Sequence, residues 1–360
     1  MSKFWPKGGV TGTLHHYTET LVTFEYTNGT APKPHSILFV GGLSDGLATT
    51  SYTADIVAAL APTKWSLFTL NLSSSYNSWG SGHLDRDTDE IATCLSYIQA
   101  YKHNTTNSST CKLAIMGHST GSQAILHYIH RPNPHPSLSP FDPDLQHVIR
   151  PLVDGAIMQA PVSDREAILS VCEEGMGDKS PSDIRAAYDK LLLLARDGVR
   201  ENTLDTFLPM SLTAQFGFGE TTPISCRRWL SLASPDSPSS PSQDDLFSSD
   251  LSDEQLSRTF GMIRQRGLLR QRLLVLISGA DQAMPEWIDK RKLLARWERA
   301  TNHDGKAKIW DDGSCLIPNA SHGLSNDDQG EPRRFLASKV LSFLESLEID
   351  DSSVGCCQVA

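Results

Sequence analysis

The sequence predicts an α/β fold: a mostly parallel central sheet with helices on both faces, broken by one insertion. Three observations predict it. Short continuous apolar runs, as strands buried on both faces read, alternate with segments patterned for crossover helices. One such run, Leu113-Ala114-Ile115-Met116, passes through Gly117-His118-Ser119-Thr120-Gly121 into a helical pattern. The alternation stops after residue 162 and resumes at residue 269.

The elements follow in order. Two strands, around Gly12–Tyr17 and Thr20–Thr27, alternate apolar and polar residues (Leu21, Thr23, Phe24, Tyr26) as a half-exposed antiparallel hairpin does. Pro32-Lys33-Pro34 is a linker. Ser36–Val40, closed by Gly41-Gly42, is the first buried parallel strand. Asp45–Leu60 follows as a loop and helix, Trp65–Leu72 as a strand, and Leu84–Tyr101 as a helix. The helix after Ser119 stops near Arg131-Pro132-Asn133-Pro134. Val153–Val162 gives another strand, and Ser163 through Glu166 reads as a capping box.

Within residues 163–268, Ser180–Arg196 is an amphipathic helix. Ser180 caps it, Pro181 suits its first position, Ile184, Tyr188, Leu191, Leu192 and Ala195 share a face, and Gly198 ends it. Residues 234–255 are acidic and rich in Pro and Ser, the composition of a mobile loop. An insertion here stands over the carboxyl edge of the sheet. Residues 163–268 are therefore expected as a lid-like cap, or alternatively as a peripheral decoration, on a core of residues 1–162 and 269–348, with 349–360 a disordered tail. Arg272–Ser278 resumes the strands, Pro285–Arg299 is a helix, Lys306–Trp310 the last strand, and Glu331–Leu347 the closing helix.

Composition narrows the function. Of 360 residues, 39% are apolar and 21% charged, as in a folded domain with a sizeable core. A net charge of −10 argues against nucleic acid or an anionic membrane as partner. No run reaches transmembrane length, and the N-terminal residues lack the apolar core of a signal peptide, so a cytoplasmic location is expected. Seven scattered cysteines read as reduced thiols. Cys357-Gln358-Val359-Ala360 has the outline of a prenylation box, with Cys356 available for a second lipid. Gln358 suits its aliphatic position poorly and no polybasic stretch precedes it, so a disordered tail is the default and membrane attachment is expected only with Cys357 prenylated. No H-E-x-x-H, paired C-x-x-C or Walker loop occurs, so neither metal nor cofactor is expected.

The chemistry centres on Gly117–Gly121, a G-x-S-x-G elbow that lifts the Ser119 hydroxyl above the sheet with a helix N-terminus behind it. A serine hydroxyl needs a base within hydrogen-bond reach and an acid to orient that base. In this architecture the partners follow as Ser, acid, His. Asp281 lies just after the strand ending in Ser278-Gly279, and His322 lies in the loop before the last helix. Asp164, just after the preceding strand, is the alternative acid, or simply a helix-capping carboxylate. The tetrahedral intermediate needs two donors, expected from the N–H groups of Thr120 and of Leu43 in the loop Gly41–Gly46. Gly42, Tyr76, Trp79 and His118 are candidate substrate-binding residues. Tyr76 and Trp79 serve equally well as packing residues, and His118 as a residue shaping the turn. His127, His130 and His135 read as solvated surface histidines, and His15-His16 has no metal-ligand partner at diagnostic spacing.

Longer blocks carry a resemblance: Phe39–Leu47, Leu72–Gly80, Gly117–Gly121, Gln159–Glu166 and Ser278–Asp281. Over roughly residues 5–348 the chain resembles a fungal and plant family of α/β hydrolases long labelled a domain of unknown function, DUF1749. The resemblance implies an α/β-hydrolase fold with the serine at Ser119, the acid at Asp281 and the histidine at His322. It also implies the activity of the best-understood kind of member, hydrolysis of ester bonds in a fusarinine C type hydroxamate siderophore to release iron inside the cell. The residues alone leave other readings open: a lipase, thioesterase or amidase with the same triad, or a non-catalytic binding protein on the same fold.

Overall fold

The structure is a computed structural model that describes residues 9–27, 32–106, 110–136, 142, 145–303, 305–306 and 308–349. Its strands are β1 (Gly12–His16), β2 (Val22–Tyr26), β3 (His35–Val40), β4 (Trp65–Leu70), β5 (Leu113–His118), β6 (Val153–Gln159), β7 (Leu269–Ser278) and β8 (Cys315–Ile317). They form one eight-stranded sheet in the order β1-β2-β4-β3-β5-β6-β7-β8. β1 and β2 pair as the expected antiparallel hairpin, β2 meets β4 antiparallel, and β4 through β8 run parallel. Every residue of β3, β4, β5 and β6 is buried, which is why the centres of these strands read as predominantly apolar runs.

The helices are α1 (Thr53–Leu60), α2 (Leu84–Thr106), α3 (Thr120–His130), α4 (Asp164–Glu174), α5 (Pro181–Arg200), α6 (Met210–Thr213), α7 (Cys226–Ala233), α8 (Asp253–Arg258), α9 (Ile263–Arg266), α10 (Lys290–Thr301) and α11 (Gly330–Ile349). On one face of the sheet, Ile56 and Leu60 of α1 and Leu336, Val340 and Phe343 of α11 share a core with Ile37, Leu67 and Met116. On the other, Ile91 and Leu95 of α2, Ile125 and Ile129 of α3 and Trp297 of α10 cover Leu38, Phe68 and Ile115. Burying both faces of a parallel sheet satisfies its strands and leaves their carboxyl ends open for chemistry.

Several local expectations need correction. The last strand is Cys315–Ile317, not Lys306–Trp310; Trp310 contributes a single bridge to Leu273. Asp311 bends the chain between the two, its Oδ1 accepting from the Gly313 N–H at 2.8 Å. α10 begins at Lys290, where Asp289 accepts from the N–H groups of Arg291 and Lys292. Ser163 caps α4 by accepting from the Glu166 N–H, but the box is not reciprocal: the Glu166 carboxylate accepts from Ser249 N and Oγ at 3.0 and 2.5 Å. Gly198 lies inside α5 rather than ending it. A Cβ there would stand 3.2 Å from Cys226 Sγ, so the glycine serves the approach of α7.

The segment 234–255 is packed rather than loose. Leu246, Phe247 and Leu251 are buried with Phe260 and Trp297, the last two rings stacked at 5.4 Å. The boundary expected at residue 268 shifts accordingly. α4 to α7 build a separate apolar cluster of Ile168, Leu191, Phe216 and Trp229, whereas residues 246–263 belong to the main core. Composition signalled polar chain here and concealed the three apolar anchors. His127, His130 and His135 are also buried, not solvated. Cys94, Cys172, Cys226 and Cys315 are free thiols. Cys356 and Cys357 lie outside the described residues, and α11 takes in Ile349.

Candidate active site

The turn from β5 into α3 holds Ser119 at φ 53° and ψ −123°, a region non-glycine residues rarely occupy. The Ser119 N–H donates to Gln159 O at 3.0 Å, and Ser122 N–H donates to Ser119 O at 2.8 Å, so neighbouring elements hold the strain. The flanking glycines are sterically required. A Cβ on Gly117 would lie 2.3 Å from Gly121 O, and one on Gly121 would lie 2.3 Å from Val40 O.

Two loops bring partners to this serine. His322, after β8, places Nε2 2.8 Å from Ser119 Oγ and Nδ1 2.9 Å from Asp281 Oδ2. Asp281, after β7, accepts the Ala283 N–H on its other oxygen at 2.9 Å, which fixes the carboxylate plane. Its side chain is sealed from solvent, while His322 keeps 18% of its side chain exposed. The His322 N–H donates to Gln282 Oε1 at 3.0 Å. The alternative acid, Asp164, is engaged elsewhere. Its Oδ2 accepts from Gln123 Nε2 at 2.6 Å, and burial pushes its carboxyl up to about 6.

The loop after β3 lies against Ser119. A Cβ on Gly42 would stand 2.8 Å from Ser119 Cβ and 3.2 Å from His118 O. Asp45 shapes the loop: its Oδ2 accepts the Gly42 N–H at 2.9 Å and its N–H returns to Gly42 O at 3.1 Å. Leu43 follows Gly42. Thr120 opens α3, in the first turn where N–H groups have no intrahelical acceptor.

Tyr76 is 44% exposed and tied to the loop after β3. Its hydroxyl accepts the Leu47 N–H at 3.2 Å, its N–H donates to Asp45 O at 3.0 Å, and its ring fills the space a Cβ on Gly46 would need. Trp79 is buried and donates from Nε1 to Ser44 Oγ at 3.1 Å. With Leu43, Asp87, Thr120 and Arg228 it lines a cavity beneath the loop. Burial pushes the Asp87 carboxyl up to about 7, although Ser74 Oγ donates to it at 2.6 Å. Arg228 bonds both oxygens of Asp244 at 2.8 and 2.9 Å, tying α7 to the packed segment.

Gln159 is a residue sequence reasoning missed. Its backbone carbonyl accepts from Ser119 N and from Ser122 Oγ, and its side-chain oxygen meets Tyr52 Oη at 2.8 Å and His118 Nδ1 at 2.5 Å. The available signal was a lone amide closing the apolar run Ala156-Ile157-Met158, since a fully buried polar side chain needs partners.

A second buried cluster lies apart from the serine. Ligating atoms of Asp85, His127 and His135 fall within 4.8 Å of one another. Asp85 Oδ1 meets His127 Nε2 at 2.7 Å, while Arg150 Nη1 donates to His135 Nε2 at 2.7 Å. A guanidinium on the same imidazole makes this a poor seat for a second cation, and it reads as a hydrogen-bonded brace between α2, α3 and the chain around residue 150.

Comparison with known proteins agrees with this architecture. The family described as "Protein of unknown function (DUF1749)" matches residues 1–345. The chain is 63% identical over 350 residues to fusarinine C esterase sidJ of Aspergillus fumigatus, covering 96% of this chain and 99% of that one. It is 48% identical over 356 residues to esterase AN6793 of Emericella nidulans, covering 96% and 95%. The solved structure of siderophore hydrolase EstB from Aspergillus fumigatus superposes with a TM-score of 0.85 at 61% identity, covering 95% of this chain and 99% of that one. An alpha/beta hydrolase fold protein of unknown function, at 12% identity and a TM-score of 0.51 with 97% and 98% covered, shares the fold alone. With the family matched across almost its whole length and the elbow, sheet order and strand-end loops in place, this chain is a member of the DUF1749 family built on the α/β-hydrolase fold.

Proposed function

We propose that the protein is a serine esterase that hydrolyses ester bonds of a fusarinine C type hydroxamate siderophore, in the cytoplasm and without a cofactor. The observation that carries the reading is the unbroken hydrogen-bond line from Asp281 through His322 to Ser119, at 2.9 and 2.8 Å. The names of the relatives, a fusarinine C esterase and a siderophore hydrolase, supply the substrate class.

The steps follow from the geometry. Ser119 Oγ attacks the ester carbonyl carbon as His322 Nε2 takes the hydroxyl proton. Asp281 holds His322 with its proton on Nδ1 and stabilises the imidazolium that forms. The carbonyl oxygen, now negative, lies against the N–H groups of Leu43 and Thr120, assisted by the positive end of α3. The tetrahedral intermediate collapses: the carbon–oxygen bond to the alcohol breaks, and His322 returns the proton to the leaving oxygen. A water molecule then gives a proton to His322 and attacks the acyl-enzyme, and the same oxyanion site serves until the acid departs and Ser119 is regenerated. In this reading α4 to α7 act as a lid over the carboxyl edge, packed against the loop after β4 where Gly80 meets Pro223 and Trp79 meets Phe218.

Incubation with fusarinine C type siderophore, with and without iron, tests the substrate. Mass spectrometry should show the hydrolysed monomers. Intact siderophore beside ready cleavage of simple aryl esters would retire the substrate and leave the esterase standing.

A further inference from the structure

We propose that His118 is a further substrate-contacting residue: a neutral imidazole held as the Nδ1–H tautomer, whose bare Nε2 accepts a hydrogen bond from an N–H or O–H that the substrate carries beside its scissile ester. The inference rests on the esterase reading.

Four observations carry it. The His118 ring stands 5.1 Å from the His322 ring, tilted by 43°, so it is next to the base that moves the proton. Its Nδ1 lies 2.5 Å from Gln159 Oε1. That oxygen also accepts from Tyr52 Oη at 2.8 Å, while Gln159 Nε2 donates to Ser278 Oγ at 3.1 Å. Reversing the amide would leave the Tyr52 hydroxyl proton without an acceptor, and Tyr52 is 0% exposed. The amide orientation therefore puts a hydrogen on His118 Nδ1 and leaves Nε2 as a lone pair.

That Nε2 has no hydrogen-bond partner among the described residues, and it is not one of the polar atoms sealed without a partner. An open acceptor on an otherwise buried ring, beside the catalytic base, is placed to meet a ligand. Burial, and then the neighbouring charge of His322, lower His118 to about 4, so the imidazole stays neutral while the base cycles. The edge-on contact with Tyr52, 5.6 Å between centroids, fixes the ring plane. A neutral acceptor in this place does not compete with the imidazolium of His322 for Asp281, and it rewards a donor on the substrate while rejecting none by charge. The substrate class it selects is an ester with an amine, amide or hydroxyl hydrogen near the carbonyl.

Two measurements test this. In the wild-type protein labelled with ¹⁵N-histidine, long-range proton–nitrogen spectra should show His118 as neutral Nδ1–H from pH 5.5 to 8.5. An Nε2–H tautomer or a charged ring in that range overturns the proposal without touching the esterase reading. Second, kcat/KM is compared for two aryl esters of equal size, one with an α-amine and one with a methyl in its place. The amine ester should be favoured about tenfold by the wild type, the worth of one hydrogen bond of about 1.4 kcal/mol. That preference, taken as the ratio of kcat/KM for the two esters within one protein, should vanish in His118→Phe. A preference that survives in His118→Phe overturns the proposal. Should His118→Phe not fold, His118→Leu, which also lacks an acceptor, repeats the comparison, and the wild-type spectra stand independently. Failure of both esters in the wild type would instead indict the esterase reading.

Discussion

Replacing Asp281 by Asn probes the acid directly. In the wild type Oδ1 accepts the Ala283 N–H and Oδ2 faces His322 Nδ1, both at 2.9 Å. In Asp281→Asn the amide oxygen keeps the Ala283 bond, because an N–H there would meet another N–H. The amide nitrogen then faces His322 and donates to Nδ1, which forces the imidazole proton onto Nε2. The nitrogen 2.8 Å from Ser119 Oγ becomes a donor and cannot take the hydroxyl proton. The same substitution in the serine-protease triad lowers turnover about 10⁴-fold, and we expect a loss of that order here, equal to about 5.4 kcal/mol of barrier. Volume and neighbours are unchanged, so circular dichroism should be unaltered. Steady-state hydrolysis of an aryl acetate with active-site titration measures the effect. The control is Asp164→Asn, whose side chain bonds Gln123 and not His322, and which should keep activity within about threefold. Asp281→Asn within tenfold of wild type, or Asp164→Asn as the more damaging change, would refute the assignment.

Further outcomes follow from the same geometry. Gly42→Ala would place a methyl 2.8 Å from Ser119 Cβ and move the loop carrying Leu43; kcat should fall about 10²–10³-fold, with the melting temperature changed little. Arg228→Ala would strand the buried Asp244 carboxylate at a cost of about 3–5 kcal/mol, read by urea denaturation, and Arg228→Met combined with Asp244→Leu should recover most of it. Asp87 titrates near 7 in the fold against 3.8 when unfolded, so the folded state holds its proton more tightly and wild-type stability falls as pH rises through that window. Asp87→Asn escapes this loss. Its stability relative to wild type, from urea midpoints, should grow between pH 4 and pH 8 by up to about 4 kcal/mol, and a flat or falling difference would contradict the buried-acid assignment.

The sheet was legible because its physics is local. Strands buried on both faces are apolar along most of their length: Ile37–Val40 and Leu113–Met116 are wholly so, and Leu67–Leu70 is interrupted only by Thr69. The elbow was legible because the turn at Ser119 excludes side chains on both sides. Asp281 and His322 were found from their places after strands, and their bonding distances to each other and to Ser119 emerge only with the tertiary fold. What remained hidden was specified by distant contacts. Three-residue β8 is too short for a periodic signal, and it forms because β7 offers an open edge. Leu246, Phe247 and Leu251 are spaced too irregularly among serines and aspartates to announce a core segment. The burial of His127 and His135 depends on Arg150 and Asp85, which sequence separates by many residues. Gln159 and Tyr52 carry no motif; their importance is a matter of which hydrogen bonds a buried turn must complete.

The central claim is that Ser119 is an activated nucleophile. Its most direct test is reaction of the folded protein with a fluorophosphonate, followed by peptide mapping in a mass spectrometer. The account predicts a single phosphonyl adduct on the Ser119 peptide, absent in Ser119→Ala and slowed at least a hundredfold in His322→Ala. A folded wild type that stays unmodified, or an adduct mapped to any other residue, would contradict it.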